Sequence, residues 1–129
     1  TGTSPLMQAV IGSRADLARA LLNARAPVGV EDSSGNTALH HARMPSLAAL
    51  LLQAKADANA TNGMGSTALG RAAYFGDSDV CKVLLEHKAD VDLGGALHGA
   101  VQENRPEIVQ LLLDKGADPG RKNDCNRPR

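Results

Sequence analysis

The chain has 129 residues, enough for one compact domain or one short repeat array, and its 14 Lys and Arg balance 14 Asp and Glu to a formal net charge of zero. That balance argues against a protein whose main work is gripping phosphate backbones, where unbalanced Lys and Arg supply most of the affinity. Aromatics are almost absent, with one Tyr, one Phe and no Trp, so the core must be filled by Leu, Val and Ala, which suits thin, closely spaced helices.

One phrase recurs along the chain. Ser4-Pro5-Leu6-Met7-Gln8-Ala9, Thr37-Ala38-Leu39-His40-His41-Ala42, Thr67-Ala68-Leu69-Gly70-Arg71-Ala72 and Gly95-Ala96-Leu97-His98-Gly99-Ala100 are variants of it, spaced by 33, 30 and 28 residues. Each is followed by an apolar echo: Ala20-Leu21-Leu22, Leu50-Leu51-Leu52, Val83-Leu84-Leu85 and Leu111-Leu112-Leu113. Self-similarity at this period marks one supersecondary unit built several times and stacked.

In the first unit Ser4 is placed to cap a helix and Pro5 suits its first turn, so a helix is expected to run to about Ile11. A break at Gly12-Ser13 precedes a second helix over about Ala15 to Ala24, with Leu17, Ala20, Leu21 and Ala24 on one face. A turn-rich stretch from Pro27 to Asn36 follows, centred on Ser33-Ser34-Gly35. The second unit is three residues short. Pro45 and Pro106 stand at matching positions before Leu47 and Ile108, so the loss lies upstream of Met44 and cuts the first helix to little more than Ala38 to Arg43. Five residues are missing before the fourth unit, where Val91-Asp92-Leu93-Gly94 leads almost straight into the motif; the turn there should be stunted.

Helix, helix and hairpin-like turn, with the endings Ala56-Asp57-Ala58-Asn59, Ala89-Asp90-Val91-Asp92 and Gly116-Ala117-Asp118-Pro119, resemble the ankyrin repeat family over essentially the whole chain. The resemblance implies an all-α ankyrin-repeat solenoid of about four helix-turn-helix repeats with β-hairpin or loop connections. Its repeats would cover about 2–34, 35–64, 65–93 and 94–123, with 124–129 the start of a further repeat or a tail. Asn126-Arg127-Pro128 occupies the Gly-x-Thr positions of such a repeat. Repeat arrays carry polar caps, and Met7, Val10 and Ile11 make a poor one, which suggests that a longer polypeptide covers the first helix.

No residue constellation proposes catalysis. His40 and His98 fall where the family has its Thr-Pro-Leu-His histidine, for which the expectation is a structural hydrogen bond between repeats. His41, adjacent to His40, cannot chelate as an i, i+4 pair would. Metal, phosphate-loop and paired Cys-x-x-Cys patterns are missing from the sequence, and neither a cofactor nor a small-molecule substrate is expected. Cys81 falls on an apolar helix stripe and Cys125 in a polar terminal segment, so the two read as free thiols of a reducing compartment. No apolar run approaches the ~20 residues of a bilayer span and no signal-peptide pattern opens the chain, so it reads as intracellular, cytoplasmic and/or nuclear, without membrane insertion. Asn59 resembles the ankyrin asparagine that is hydroxylated in some family members, though holding its turn is its expected role.

The resemblance places partner binding at the turn tips and at the exposed positions of the first helices, on a concave face. In the first repeat these are Gln8, Ile11 and Gly12, then Ser33, Ser34 and Asn36 at the turn; His41 stands alone in the second. Met64, Ser66, Arg71, Tyr74 and Phe75 follow in the third, and Gly99, Gln102 and Glu103 in the fourth. Both aromatics therefore belong to one repeat, beside Met64 and Arg71, residue types enriched or adaptable at interfaces. Phe75 also has a structural alternative, filling the space left by the missing turn of the second repeat. The expected function is a non-catalytic scaffold or adaptor module binding a protein or extended peptide. Two alternatives stand beside it. The reduced helix in a four-repeat array is similar in architecture to the cyclin-dependent kinase inhibitors of the ankyrin type, and ankyrin arrays also serve as targeting domains of larger enzymes.

Overall fold

The computed structural model describes residues 2–122. Cys125, Asn126, Arg127 and Pro128, on which the sequence suggested a free thiol and the start of a fifth repeat, lie outside them. Seven α-helices follow one another: α1 (Pro5–Ile11), α2 (Ala15–Asn23), α3 (Pro45–Gln53), α4 (Ala68–Phe75), α5 (Ser78–Glu86), α6 (Ala96–Gln102) and α7 (Pro106–Asp114). Two short 3-10 turns, Ala38–His41 and Leu93–Gly95, complete the order, and no strand occurs among the described residues. The protein is an all-α ankyrin-type solenoid in which α1, the Ala38–His41 turn, α4 and α6 form one layer and α2, α3, α5 and α7 the other.

Local chemistry sets the helix ends. The Met7 N–H donates to Ser4 Oγ at 3.1 Å, and the Gly70 N–H to Thr67 Oγ1 at the same distance. Pro45 and Pro106 open α3 and α7 as first-turn residues, where the missing N–H is no loss. The second helices end in one left-handed residue each, at Arg25, Lys55, Lys88 and Gly116; only the fourth repeat places there the glycine that such a φ favours.

The second repeat is shortened further than expected. Its first helix is a single 3-10 turn, closed by a reciprocal capping box between Thr37 and His40. The tight-turn fingers also differ from hairpins. In the first, Asp32 Oδ1 accepts the N–H groups of Ser34 and Asn36; in the second, Asn62 Oδ1 accepts those of Met64 and Ser66. These side chains do the work of a strand ladder within five residues.

The core is a column of Leu, Ala, Val and Ile between the layers, with Leu6, Leu47, Leu51, Leu69, Leu84, Ile108 and Leu112 almost fully buried. One sequence expectation changes here. Met7 and Val10 are buried rather than left as an uncovered cap, and only Ile11 of that trio is exposed. The face shared by Leu17, Ala20, Leu21 and Ala24 is only partly covered: Leu21 packs against the core, Leu17 is 50 % exposed, and Ala18 is the α2 residue fully enclosed. The reason lies in the stacking. Leu47, Val80 and Ile108, which correspond to Leu17, are 0 to 2 % exposed because the repeat before each covers it, and no described repeat precedes α2.

This difference is measurable in urea denaturation of residues 1–129. Leu84→Ala is expected to lower the unfolding free energy by ~2–5 kcal/mol, as a core cavity does. Leu17→Ala is expected to cost under ~1 kcal/mol. Equal losses would mean that the α2 face is packed.

Candidate functional site

The deletion before α6 shapes the site. With the third finger missing, the chain turns at Gly94 and Gly95, both left-handed, and lays Leu93–Gly95 directly on the start of α4. Thr67 Oγ1 donates to the Leu93 carbonyl at 3.4 Å. The approach is so close that a Cβ on Gly70 would collide with the Gly94 carbonyl oxygen, and one on Gly94 with Thr67. Gly70 occupies the motif position that holds His40 in the second repeat. Glycine there exchanges a side-chain link between repeats for direct backbone packing.

A groove of about 450 Å³ opens beside this contact. Gly70, Gly94, Gly95 and Gly99 line it without side chains, and Met64, Ser66, Arg71, Tyr74, Phe75 and Gln102 form the rest of its wall. Seven sequence-predicted positions, Gly99 among them, thus converge. Met64 is 57 %, Tyr74 42 % and Phe75 40 % exposed, large apolar surfaces that a core would have enclosed. The two rings meet edge to face with centroids 5.3 Å apart.

Phe75 also meets its structural alternative. The Arg43 guanidinium lies 4.6 Å from its ring centroid and bridges to Asp77 through Nε–Oδ2 and, at 3.3 Å, Nη2–Oδ1. Arg43 crosses the gap left by the missing helical turn, so Phe75 is packed on one side and open on the other. Arg71 lies 5.6 Å from the same ring and donates from Nε to the His40 carbonyl at 3.2 Å.

The remaining predicted positions lie elsewhere. Ser33 and Ser34 are exposed at the first finger and Glu103 is half-buried, none of them lining the groove. Asn36 is a correction: it is 6 % exposed, because its Oδ1 accepts from Asn62 Nδ2 at 2.8 Å and ties the two fingers together. His41 is half-buried and does not line the groove, and its Nε2 meets Asp32 Oδ2 at 2.9 Å. Burial alone would raise the Asp32 carboxyl, but the His41 contact and the N–H groups of Asn36 and Ser34 outweigh it and hold the group below its ordinary value. Sequence reasoning passed over Arg43, Gly70, Gly94 and Gly95. Their signals were the deletion beside Arg43, the glycine in a histidine position, and the Gly-Gly pair at the missing finger.

His40 forms the inter-repeat bond expected of it. The Thr37 N–H donates to Nδ1 at 3.0 Å, which leaves the proton on Nε2 to reach the Ser66 carbonyl at 2.9 Å. His98 makes no such bond among the described residues. Burial holds His40 below the ordinary imidazole value, against the Ser66 carbonyl and with the help of nearby Arg71 and His41. Cys81 is fully buried in the core, where burial and Asp77 push its thiol up to about 12, an unreactive state. No group of three or more His, Cys, Asp or Glu among the described residues is placed to hold a metal, and no helix there is long and apolar enough to cross a membrane.

On the opposite edge Asn59 and Asp92 link successive repeats. Asn59 Oδ1 accepts the Asp90 N–H at 2.7 Å, and Asp92 Oδ1 the Asp118 N–H at 2.9 Å.

The family model for ankyrin repeats in three copies matches residues 43–123, more than half of the chain, and the protein belongs to the ankyrin-repeat family. Ankyrin repeats are a non-catalytic fold that generally serves protein–protein interaction. The match begins just after the reduced helix of the second repeat. The chain is 32% identical to inversin of Canis lupus familiaris over 92% of its length, 36% identical to the B-cell lymphoma 3 protein homolog of Mus musculus over 89%, and 34% identical to the transient receptor potential channel pyrexia of Drosophila melanogaster over 85%. It spans 12%, 29% and 12% of these relatives, respectively.

The buried His40 makes stability depend on pH. Folding favours the neutral imidazole, so the unfolded chain binds the proton more readily, and stability rises with pH across the interval between the lowered value and 6.5. Urea midpoints are expected to be flat above about pH 7 and to fall as pH drops below 6.5, with that part of the slope lost in His40→Gln. An unchanged slope in His40→Gln would show that another group titrates.

Proposed function

We propose that the chain is a single-domain interaction module, residues 1–129, that binds a partner protein through the groove between the second finger, α4 and α6, without catalysing a reaction itself. The observation that carries this reading is the exposure of Met64, Tyr74 and Phe75 around a glycine-lined groove in a chain with no other aromatic residue. Ser33, Ser34 and Glu103 would then belong to a wider, weaker rim. The binding mechanism is complementarity from a pre-ordered scaffold, which limits the entropy lost on association. The unpaired, buried Cys81 supports work in a reducing compartment, cytoplasmic and/or nuclear.

The decisive experiment isolates a captured partner and titrates it against purified variants. Tyr74→Ala is expected to weaken binding by ~2 kcal/mol, about thirtyfold, with an unchanged thermal transition. Phe75→Ala is expected to weaken binding and also to lower stability, because it unseats Arg43. Retained affinity in Tyr74→Ala would place the partner elsewhere.

The same module is proposed to sit inside a longer polypeptide, with another repeat over the Leu17 face. Two observations support it: the small share of each relative that the chain spans, and the shallow apolar depression of about 460 Å³ lined by Pro5, Ala9, Leu17, Ala20 and Leu21 among others. A thiol at Leu17→Cys is expected to react freely with maleimide in residues 1–129 and to be protected in the native full-length protein, with labelling at position 17 read by mass spectrometry. Equal labelling in both would leave that face uncovered.

A further inference from the structure

The groove mixes apolar side chains with the polar Ser66 and Gln102, and it holds one ionised group. Arg71 is the lining residue that carries charge at neutral pH, and no Asp or Glu lines the groove with it. The carboxylate whose charge reaches it, Asp32, is already engaged with His41 and the first finger. Arg71 itself is half-buried and fixed in place. Its Nε is bonded to the His40 carbonyl, its guanidinium lies near the Phe75 ring, and among the described residues its Nη nitrogens meet no acceptor. Arg43, 4.6 Å from that ring centroid, is paired with Asp77, which leaves Arg71 as the charge the groove offers. A half-buried guanidinium with an open fork is a poor resting state, and a carboxylate is the group whose geometry completes it.

We propose that the groove takes an extended peptide segment in which an apolar side chain sits against Met64 and Tyr74 and a neighbouring Asp or Glu side chain pairs with Arg71. This rests on the reading of the groove as the partner site and adds the chemistry of the partner. The volume, about 450 Å³, suits a short segment rather than a broad folded face. The glycine floor lets the peptide backbone approach closely, because no side chain rises from Gly95 or Gly99. Arg71 needs little reordering on binding, so a carboxylate gains more from it than from a freely moving surface arginine.

A library of random heptapeptides, each fused through its C-terminus so that no terminal carboxylate is present, tests this when panned on residues 1–129. The expected consensus has Asp or Glu at a fixed distance from an apolar residue. Replacing that Glu with Gln in a selected peptide is expected to weaken binding to the wild type roughly tenfold or more. The penalty should vanish in Arg71→Met and survive in part in Arg71→Lys, with thermal melts confirming that each variant is folded. Tyr74→Ala should weaken the Glu and Gln peptides alike. Peptides lost with Tyr74→Ala but indifferent to Glu→Gln would overturn the acidic preference and leave the groove as the partner site. Failure to select any peptide, or peptides unaffected by Tyr74→Ala, would overturn both.

Discussion

The close backbone approach of the Gly94 carbonyl to Gly70 is the constraint on which the candidate groove depends. Neither residue can carry a Cβ, so the third and fourth repeats meet there by main chain, with Thr67 Oγ1 bonded to the Leu93 carbonyl beside it. The finger that would separate them is missing, and the space it would fill is the groove. A side chain at either glycine would push α4 and α6 apart and alter the wall that Tyr74 and Gln102 make. Missing residues, not added ones, create the site.

Elsewhere the stack is held by polar links on both edges around an apolar column. Asn36 to Asn62 joins the first two fingers and His40 to the Ser66 carbonyl ties the Ala38–His41 turn to the second; Asn59 and Asp92 join the loops after the second helices. Such bonds contribute only about 0.5–1.5 kcal/mol each, so the column supplies most of the cohesion. What the links add is register. Each buried polar group has one partner at one offset, and sliding a repeat would leave it unpaired. A scaffold fixed in this way presents its exposed side chains with little freedom left to lose.

The second repeat shows how a defect is repaired. Its first helix is reduced to one 3-10 turn, yet the layer continues because Arg43 reaches across to Asp77 and covers Phe75. That ring supports the damaged repeat and still stays 40 % exposed. Tyr74, which bears on Gly99 instead, has no comparable structural task. The two adjacent aromatics therefore play different parts, a division that sequence position alone could not reveal.

The sequence by itself determined the repeat, the order of helices, the core Leu and Ala positions and the place of both defects. Those features follow from periodicity, caps and prolines, which act between residues close in the chain. It also singled out Met64, Ser66, Arg71, Tyr74, Phe75 and Gln102. Only the tertiary structure decided which of the exposed-looking residues were free. Asn36 turned out to be buried and His41 to be paired, because their partners come from other parts of the chain. Leu17 lies on the apolar stripe of α2 by its spacing and stands half exposed because no described repeat packs against it. A residue's spacing says which face it belongs to; what lies against that face is set by segments far away in sequence, and that contact separates a core residue from a binding residue.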